Sequence, residues 1–132
     1  MADHESFRAF VNGKEHVVSN LTQLRARIRE ARRSEFGEFA LLQGSLPDHN
    51  FFVLFNRRNA WPTYSYRIDR KSFSIRDPDA ADDVEMRFRW ANGQVDMVPA
   101  FQVVTAASAV KAIEHFFRTQ ELLENIVWHQ DF

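Results

Sequence analysis

Residues 39–55, FALLQGSLPDHNFFVLF, contain the two apolar runs that decide the fold of this chain. Phe39–Leu42 and Phe51–Phe55 are continuous in apolar residues. Turn-favouring residues bound the two runs: Gly37, Gly44, Pro47, Asp48 and Asn56. Runs this short are too brief to stand as helices, whereas strands buried on both faces have this composition. We therefore expect two central strands of a sheet.

Two Asn-Gly pairs predict β-hairpins on either side of these central strands. Asn12-Gly13 and Asn92-Gly93 each separate runs that carry apolar residues, and an Asn-Gly pair in that position is a strong hairpin signal. The strands so joined are Phe7–Val11 with Glu15–Ser19, and Val84–Trp90 with Gln94–Val98.

Two segments carry apolar residues at helical spacing. Ser19 or Asn20 can cap the first helix, with Gln23 available to complete a capping box, and Thr105 can cap the second. The first apolar stripe is Leu21, Leu24, Ile28 and Ala31, and the second is Ala109, Val110, Ile113, Phe116 and Phe117. One helix is thus expected near each end of the chain.

The remaining predicted strands give an α+β arrangement, in which a series of strands has one helix near each end. Trp61–Ile68 alternates in polarity, with Pro62 suggesting a strand start or an edge, and Asn125–Trp128 is expected to form a last strand. We expect a mostly antiparallel sheet of about six to seven strands, with two main helices packed on one face. Residues 1–132 are expected to form one domain.

Composition narrows the classes of function. The net charge of -1 gives no bulk attraction to nucleic acid or to an anionic membrane, and the 13 Phe predict an aromatic core. There is no Cys, as fits a reducing compartment. No signal-peptide pattern and no run of about 18 apolar residues is present. We expect a cytoplasmic protein that does not enter a membrane.

Motifs for catalysis, metals and cofactors are missing from the sequence. None of the five His belongs to an HExxH or HxH pattern that would place two imidazoles together. There is no GxSxG elbow and no Walker loop, and 4 Gly are too few for a glycine-rich phosphate cradle. We therefore expect no catalytic residues, no metal and no cofactor, and a protein that is not an enzyme.

Two charge clusters of opposite sign are the sharpest local features. The stretch DPDAADDVE concentrates five carboxylates ahead of a strand: Asp77, Asp79, Asp82, Asp83 and Glu85. The first helix carries an arginine face: Arg25, Arg27, Arg29, Arg32 and Arg33. Each cluster can be a solvated surface, and the acidic one can also complement a basic surface on a partner, where such charges speed encounter and set specificity.

The segments YSYRI and MRFRW interleave aromatic residues with arginine, as sheet-based binders of single-stranded RNA do. In the second segment, however, Met86, Phe88 and Trp90 share one strand face and Arg87 and Arg89 the other. The rings are therefore placed for a core. A small nucleic-acid-binding or regulatory module that uses Arg67, Arg87 and Arg89 stays as the alternative function.

The C-terminal segment 99–130, PAFQVVTAASAVKAIEHFFRTQELLENIVWHQ, resembles the closing segment of the bacterial immunity protein 1 family, which serves polymorphic toxin systems. The matching residues, in order, are Pro99, Val103, Ala109, Ala112, Phe116, Phe117, Arg118, Thr119, Glu121 and Trp128. The earlier layout of strands, helix and MRFRWANGQ hairpin is also similar. Gln120 stands where the family usually has Gly, and the Pro usual before the last strand is absent.

This resemblance implies a cytoplasmic, non-enzymatic antidote that binds one cognate toxin domain, often a nucleic-acid deaminase, and blocks its active site. A phosphate-binding cleft is usually positive, so we expect the five acids from Asp77 to Glu85 to meet it, with no nucleic acid bound by the antidote itself. Trp128 is expected to close the sheet against the second helix, with His129, Gln130 and Asp131 as an alternative toxin contact. The free protein is expected to be a monomer or a weak dimer.

Overall fold

The computed structural model describes residues 7–42, 49–66, 71–75, 84–119 and 128–130. The N-terminal elements are β1 (Phe7–Val11), β2 (Lys14–Val18), α1 (Leu21–Ala31), β3 (Phe36–Leu42), β4 (His49–Asn56) and β5 (Asn59–Tyr66). The remaining ones are β6 (Lys71–Ile75), β7 (Glu85–Arg89), β8 (Val95–Pro99), a 3-10 turn (Ala100–Gln102), β9 (Val104–Thr105), α2 (Ala106–Thr119) and β10 (Trp128–Gln130).

The strands form two separate antiparallel sheets. The main sheet has eight strands in the order β10-β6-β5-β4-β3-β1-β2, with the short β9 also pairing with β5. The hairpin β7–β8 forms a sheet of two strands by itself. The predicted α+β class is confirmed. The main sheet has eight strands where six to seven were expected in total, because β6 and the two-residue β9, which were not predicted, both join it.

The central strands are buried on both faces, as their continuous apolar runs predict. In β4, Phe51, Val53 and Phe55 pack in the cluster that contains α1 and α2. Leu54 and the partly buried Phe52, which alternate with them, pack in a second cluster with the β7–β8 hairpin. Side chains of a strand point alternately to opposite faces, so a strand covered on both sides needs apolar residues at every position.

Both helices pack on one face of the main sheet through the predicted stripes. Leu24, Ile28 and Ala31 of α1 are buried, and α2 buries Ala109, Ala112, Ile113 and Phe116, among others. Phe117 and Val110 of the predicted stripe are only partly buried at the margin of this core. Among the described residues, no helix is long and apolar enough to cross a membrane.

Side-chain caps fix where the two helices begin. The Asn20 side chain accepts a hydrogen bond from the Gln23 backbone N–H at 2.9 Å, and Gln23 Oε1 accepts one from the Ser19 N–H at 2.7 Å. Thr105 Oγ1 accepts from the Ser108 N–H at 3.1 Å. Both predicted caps are confirmed, because each supplies a partner for a backbone N–H that the helix itself leaves unpaired.

The two Asn-Gly pairs make different turns. In the first, Asn12 and Gly13 both adopt positive φ, 50° and 86°, as a two-residue type I′ hairpin turn requires. In the second, only Gly93 has a positive φ, 95°, and its N–H donates to the Trp90 carbonyl at 2.9 Å. Both hairpins are confirmed, and the second one uses a longer loop.

Gly37 was predicted to bound the strand, and this is wrong, since it lies inside β3 opposite Phe55 of β4. Its lack of a side chain has a tertiary reason. An ideal Cβ built on Gly37 would lie 1.7 Å from the Ala31 carbonyl oxygen of α1. Glycine is therefore what lets the C-terminal end of α1 approach the sheet this closely.

Pro62 was predicted to start a strand or to lie at an edge, and this is also wrong, because it lies within β5 opposite Val53. On its other side β5 pairs with β9 up to Ala60 and with β6 from Thr63 onwards. Pro62 thus lies where one neighbouring strand gives way to the next. A residue that lacks an N–H is tolerated at such a break in the ladder.

The end of the chain is tied into the main sheet. Trp128 lies opposite Ile75 in the antiparallel pair of β10 with β6, so the last strand is confirmed, with bounds Trp128–Gln130. The predicted first residues of that strand, 125–127, lie outside the described residues, as do Gln120, Glu121 and Asp131. The expected packing of the Trp128 side chain on α2 therefore stays a prediction.

Candidate functional site

The hairpin β7–β8 is anchored to the main sheet on the face opposite the helices. Phe88 and Val98 are buried against Leu54 and Val103, with Met86, Trp90 and Trp61 at the margin. The Trp61 ring centroid lies 6.1 Å from those of both Phe88 and Trp90. The predicted inward set of Met86, Phe88 and Trp90 is confirmed, and these rings serve as core.

Two hydrogen bonds join the hairpin to the main sheet, and a third joins its two ends. Asn56 Nδ2 donates to the Arg87 carbonyl at 2.6 Å, and the Ala91 N–H donates to Glu38 Oε2 at 2.9 Å. The Ala100 N–H donates to the Val84 carbonyl, also at 2.9 Å. The bonds from Asn56 and to Glu38 join the hairpin to β4 and β3 and so hold its exposed face in one orientation relative to the main sheet, whereas the Ala100–Val84 bond closes the open end of the hairpin itself.

The opposite side of the hairpin, which we call the outer hairpin face, consists of Glu85, Arg87, Arg89, Val95, Met97 and Pro99. The register sets Glu85 opposite Pro99, Arg87 opposite Met97, and Arg89 opposite Val95. Strand β7 thus contributes a row of charged side chains and β8 a row of apolar ones. Each charged side chain lies directly beside an apolar neighbour on the same face.

Apolar exposure is concentrated at this hairpin. Met97 is 54% exposed and Val95 41% exposed, and Val84, just before β7, is 43% exposed. The other large apolar residue exposed to this degree in the described part of the chain is Val17, on β2 at the edge of the main sheet. Protein interfaces are enriched in Met and Arg and depleted in Lys and Glu, and clustered exposed apolar side chains mark such sites.

The predicted acidic site is only partly described. Asp77, Asp79, Asp82 and Asp83 lie outside the described residues, and Glu85 is exposed at the start of β7. Arg87 and Arg89 are exposed on the same strand, so the described part of the face is mixed in charge rather than acidic. The Arg87 guanidinium lies 6.0 Å from the Phe36 ring centroid, which directs it towards the start of β3.

Sequence reasoning missed Val95 and Met97 as candidate site residues. The alternation of side chains along β8 could have identified Met97. If Val98 points into the core, its neighbour Met97 must point outwards. What the sequence does not show is that the Val95 and Met97 side chains stay exposed once the elements have packed together. The contribution of β8 to the site therefore depends on the tertiary arrangement.

Two patterns are relevant to the titratable groups in the described part of the chain, metal-ligand clusters and ion pairs. No three His, Asp or Glu side chains there lie together as metal ligands would. A hydrogen bond from Arg27 lowers the pKa of Glu30, and a hydrogen bond to Glu114 raises the pKa of Arg25. Both groups belong to partly exposed ion pairs on the helices, so these shifts reflect pairing at the surface.

No protein-family model matches the chain, and no curated protein sequence matches it either. The candidate site therefore rests on the geometry of the outer hairpin face.

Proposed function

We propose that this protein is an immunity protein that binds a cognate bacterial toxin domain, such as a nucleic-acid deaminase, and neutralises it by occluding its active site. In this proposal the protein is cytoplasmic and has no catalytic activity. The resemblance of residues 99–130 to the bacterial immunity protein 1 family motivates the class of function. The observation that carries it is the outer hairpin face.

The outer hairpin face has the physical properties of a protein-binding surface. Its apolar row is exposed while its opposite side is locked into the core through Phe88 and Val98, so little conformational entropy is lost on binding. Met97 lies between Val95 and Pro99 along β8, at the centre of the row. A partner that covers Met97 removes apolar surface from water without exposing anything in exchange.

The acidic stretch is the proposed source of specificity. The chain passes from Asp77, Asp79, Asp82 and Asp83 directly into Glu85, the first residue of the outer hairpin face. Carboxylates next to an apolar docking surface would take the place of substrate phosphates in a basic toxin cleft. Arg87 and Arg89 would then face carboxylates or carbonyls at the rim of that cleft.

The first prediction concerns Met97. Changing Met97 to Asp is expected to weaken toxin binding by about 30-fold or more, because an unpaired carboxylate in a desolvated interface costs at least about 2 kcal/mol. The tagged protein is immobilised, a lysate of the bacterium that encodes it is passed over it in high salt, and mass spectrometry identifies what remains bound. We expect one large secreted protein, held through its C-terminal domain and inhibited by the wild-type protein.

Val17→Asp is the matched control for this experiment. Val17 is 63% exposed on the edge strand β2 and is not part of the outer hairpin face, so the same charge is introduced outside the proposed interface. Capture should be retained. If Met97→Asp and Val17→Asp bind the toxin equally well, the outer hairpin face is not the interface. If no toxin is captured although its gene is expressed, the immunity function itself is wrong.

The second prediction concerns the acids. Reversing Asp77, Asp79 and Asp82 to Lys should weaken toxin binding and slow association, since like charges would then meet a basic cleft. Association rates measured by surface plasmon resonance at low and high salt check this. An unchanged rate at low salt would remove the acidic stretch from the interface and leave the assignment to Met97 intact.

One observation favours the alternative of nucleic-acid binding. Arg87 and Arg89 are both exposed on the outer hairpin face, while Arg67 lies outside the described residues. If the protein binds nucleic acid, single-stranded oligonucleotides should bind it with an affinity that falls steeply as the salt concentration rises. The absence of binding at low salt would dispose of this alternative.

A further inference from the structure

Both Asn-Gly turns of the chain are joined to one residue, Glu38 of β3. The Glu38 backbone N–H donates to Asn12 Oδ1 at 2.9 Å, and the Glu38 carbonyl accepts from the Asn12 N–H at 2.8 Å. The Glu38 carboxylate accepts from the Ala91 N–H, in the turn of the β7–β8 hairpin, at 2.9 Å. Glu38 therefore links the turn of the first hairpin to the turn of the second.

A glutamate at this position is not explained by packing. The side chains on the hairpin side of β3 are those of Phe36, Glu38, Ala40 and Leu42. Glu38 is the charged one among them, and it lies opposite Leu54, which is buried in the cluster beneath the hairpin. An apolar residue would suit such a strand position better, because taking a carboxylate out of water is costly. The polar contact with the hairpin accounts for the residue type.

The contact with Ala91 is specific to the Glu38 carboxylate. Glu38 is half-buried and forms no ion pair with any residue that the structure describes. Three other backbone N–H groups of the turn, those of Trp90, Gly93 and Gln94, donate within the turn at 2.8 to 2.9 Å. The turn is thus closed by its own hydrogen bonds, and the Ala91 N–H is the group that ties it to the main sheet.

Asn56 holds the same hairpin at a point further from the turn. Its Nδ2 donates to the Arg87 carbonyl at 2.6 Å. Burial of apolar surface beneath the hairpin is not directional, so with the Asn56 bond alone the hairpin could still pivot about Arg87. A second bond at the turn also fixes the direction of the hairpin. Arg89 opposite Val95 is the pair of the outer hairpin face nearest the turn, so its orientation depends most on that second bond.

We propose that Glu38 is a positioning residue for the outer hairpin face, which holds the Arg89 and Val95 end of that face in its binding orientation. This inference rests on the proposed function, since it concerns how the same face is presented to the toxin. Glu38 acts through Ala91 and not by contact with the toxin. When only a fraction of the molecules presents a competent surface, the apparent affinity falls by that fraction. A hydrogen bond to a carboxylate is strong enough to keep the competent fraction high.

Hydrogen exchange followed by NMR tests the anchor without any toxin. In Glu38→Ala the Ala91 amide should exchange at least about tenfold faster than in the wild type, because it loses its acceptor. The Gly93 amide, which donates to the Trp90 carbonyl within the turn, should exchange at the wild-type rate. Unchanged exchange at Ala91 would overturn the proposal. Equally faster exchange at Gly93 would also count against it, since the turn itself would then depend on Glu38.

Surface plasmon resonance with the captured toxin domain tests what the anchor does for binding. Glu38→Ala should bind about tenfold more weakly than the wild type, whereas Glu38→Gln, which keeps an acceptor oxygen at the same reach, should bind within about threefold of it. Glu35→Ala is the matched control. Glu35 lies just before β3 and pairs with Arg57 at 3.3 Å, so this variant loses the same charge without losing the anchor and should bind as the wild type does.

Two results of the binding experiment would contradict the role of Glu38. If Glu38→Ala binds as tightly as the wild type, the anchor is irrelevant to binding. If Glu38→Gln binds as weakly as Glu38→Ala, the charge of Glu38 contacts the toxin itself and the residue is not a positioning residue. Failure of the wild-type protein to capture any toxin would instead overturn the proposed function, and the exchange rate at Ala91 still decides whether Glu38 anchors the hairpin.

Discussion

Replacing Gly37 with alanine is expected to destabilise the protein by about 3 kcal/mol. The added Cβ would lie 1.7 Å from the Ala31 carbonyl oxygen and 2.8 Å from the carbonyl carbon. Both contacts are with backbone, so no side-chain rotation relieves them. The C-terminal end of α1 would have to move away from β3, and this would disturb the packing of Ile28 and Leu24 in the core.

Urea unfolding followed by circular dichroism measures this effect, with Gly93→Ala as the control. Gly93 has a positive φ of 95°, and a Cβ added there would have no heavy atom within 4 Å, so alanine meets conformational strain without a clash. That strain costs about 1–2 kcal/mol. If Gly37→Ala is no more destabilising than Gly93→Ala, the close approach of α1 to β3 is wrong.

Replacing Phe116 with alanine is expected to cost about 3–5 kcal/mol, as for other fully buried aromatic residues. The ring of Phe116 lies in the centre of the core between α2 and the main sheet. Its centroid is 5.3 Å from that of Tyr64, 5.5 Å from that of Phe51 and 6.2 Å from that of Phe7. The substitution leaves a cavity beneath α2 that side chains of β1, β4 and β5 border. Those three strands would have to shift towards α2 to fill it.

Phe117→Ala provides a comparison at the next position of the same helix. Phe117 is only partly buried and contacts Phe7 at a centroid distance of 4.9 Å, so we expect a cost of about 1–2 kcal/mol. Equal losses of unfolding free energy for the two variants would contradict the orientation of α2. The same measurement applied to Met97→Asp should show little change, because Met97 is exposed, and this separates binding from folding.

Much of the local structure follows from the sequence, because the interactions that decide it join residues a few positions apart. Asn12 and Gly13 both adopt the positive φ that their turn requires, and Asn20 and Thr105 cap the helices as predicted. The alternation in Glu85–Arg89 fixes which side chains of β7 face the core. These outcomes depend on backbone sterics and on periodicity, both of which are written in short stretches of sequence.

The candidate site is only partly predictable in the same way. Because side chains alternate along a strand, Arg87 and Arg89 must point outwards if Phe88 points into the core. In the same way, Met97 must point outwards if Val98 points inwards. The exposure of Met97 does not follow, because a second layer could have covered it. The predicted acids Asp77, Asp79, Asp82 and Asp83 lie outside the described residues, so their role stays a prediction.

The sequence by itself determined the α+β class, the hairpins, the helix caps and the doubly buried central strands. Only the tertiary structure decided that β7–β8 forms its own sheet opposite the helices, that Gly37 must lack a side chain, and that Arg25 forms an ion pair with Glu114. The physical reason is separation along the chain. Arg25 and Glu114 are 89 positions apart, and such contacts depend on how whole elements pack, which no local pattern specifies.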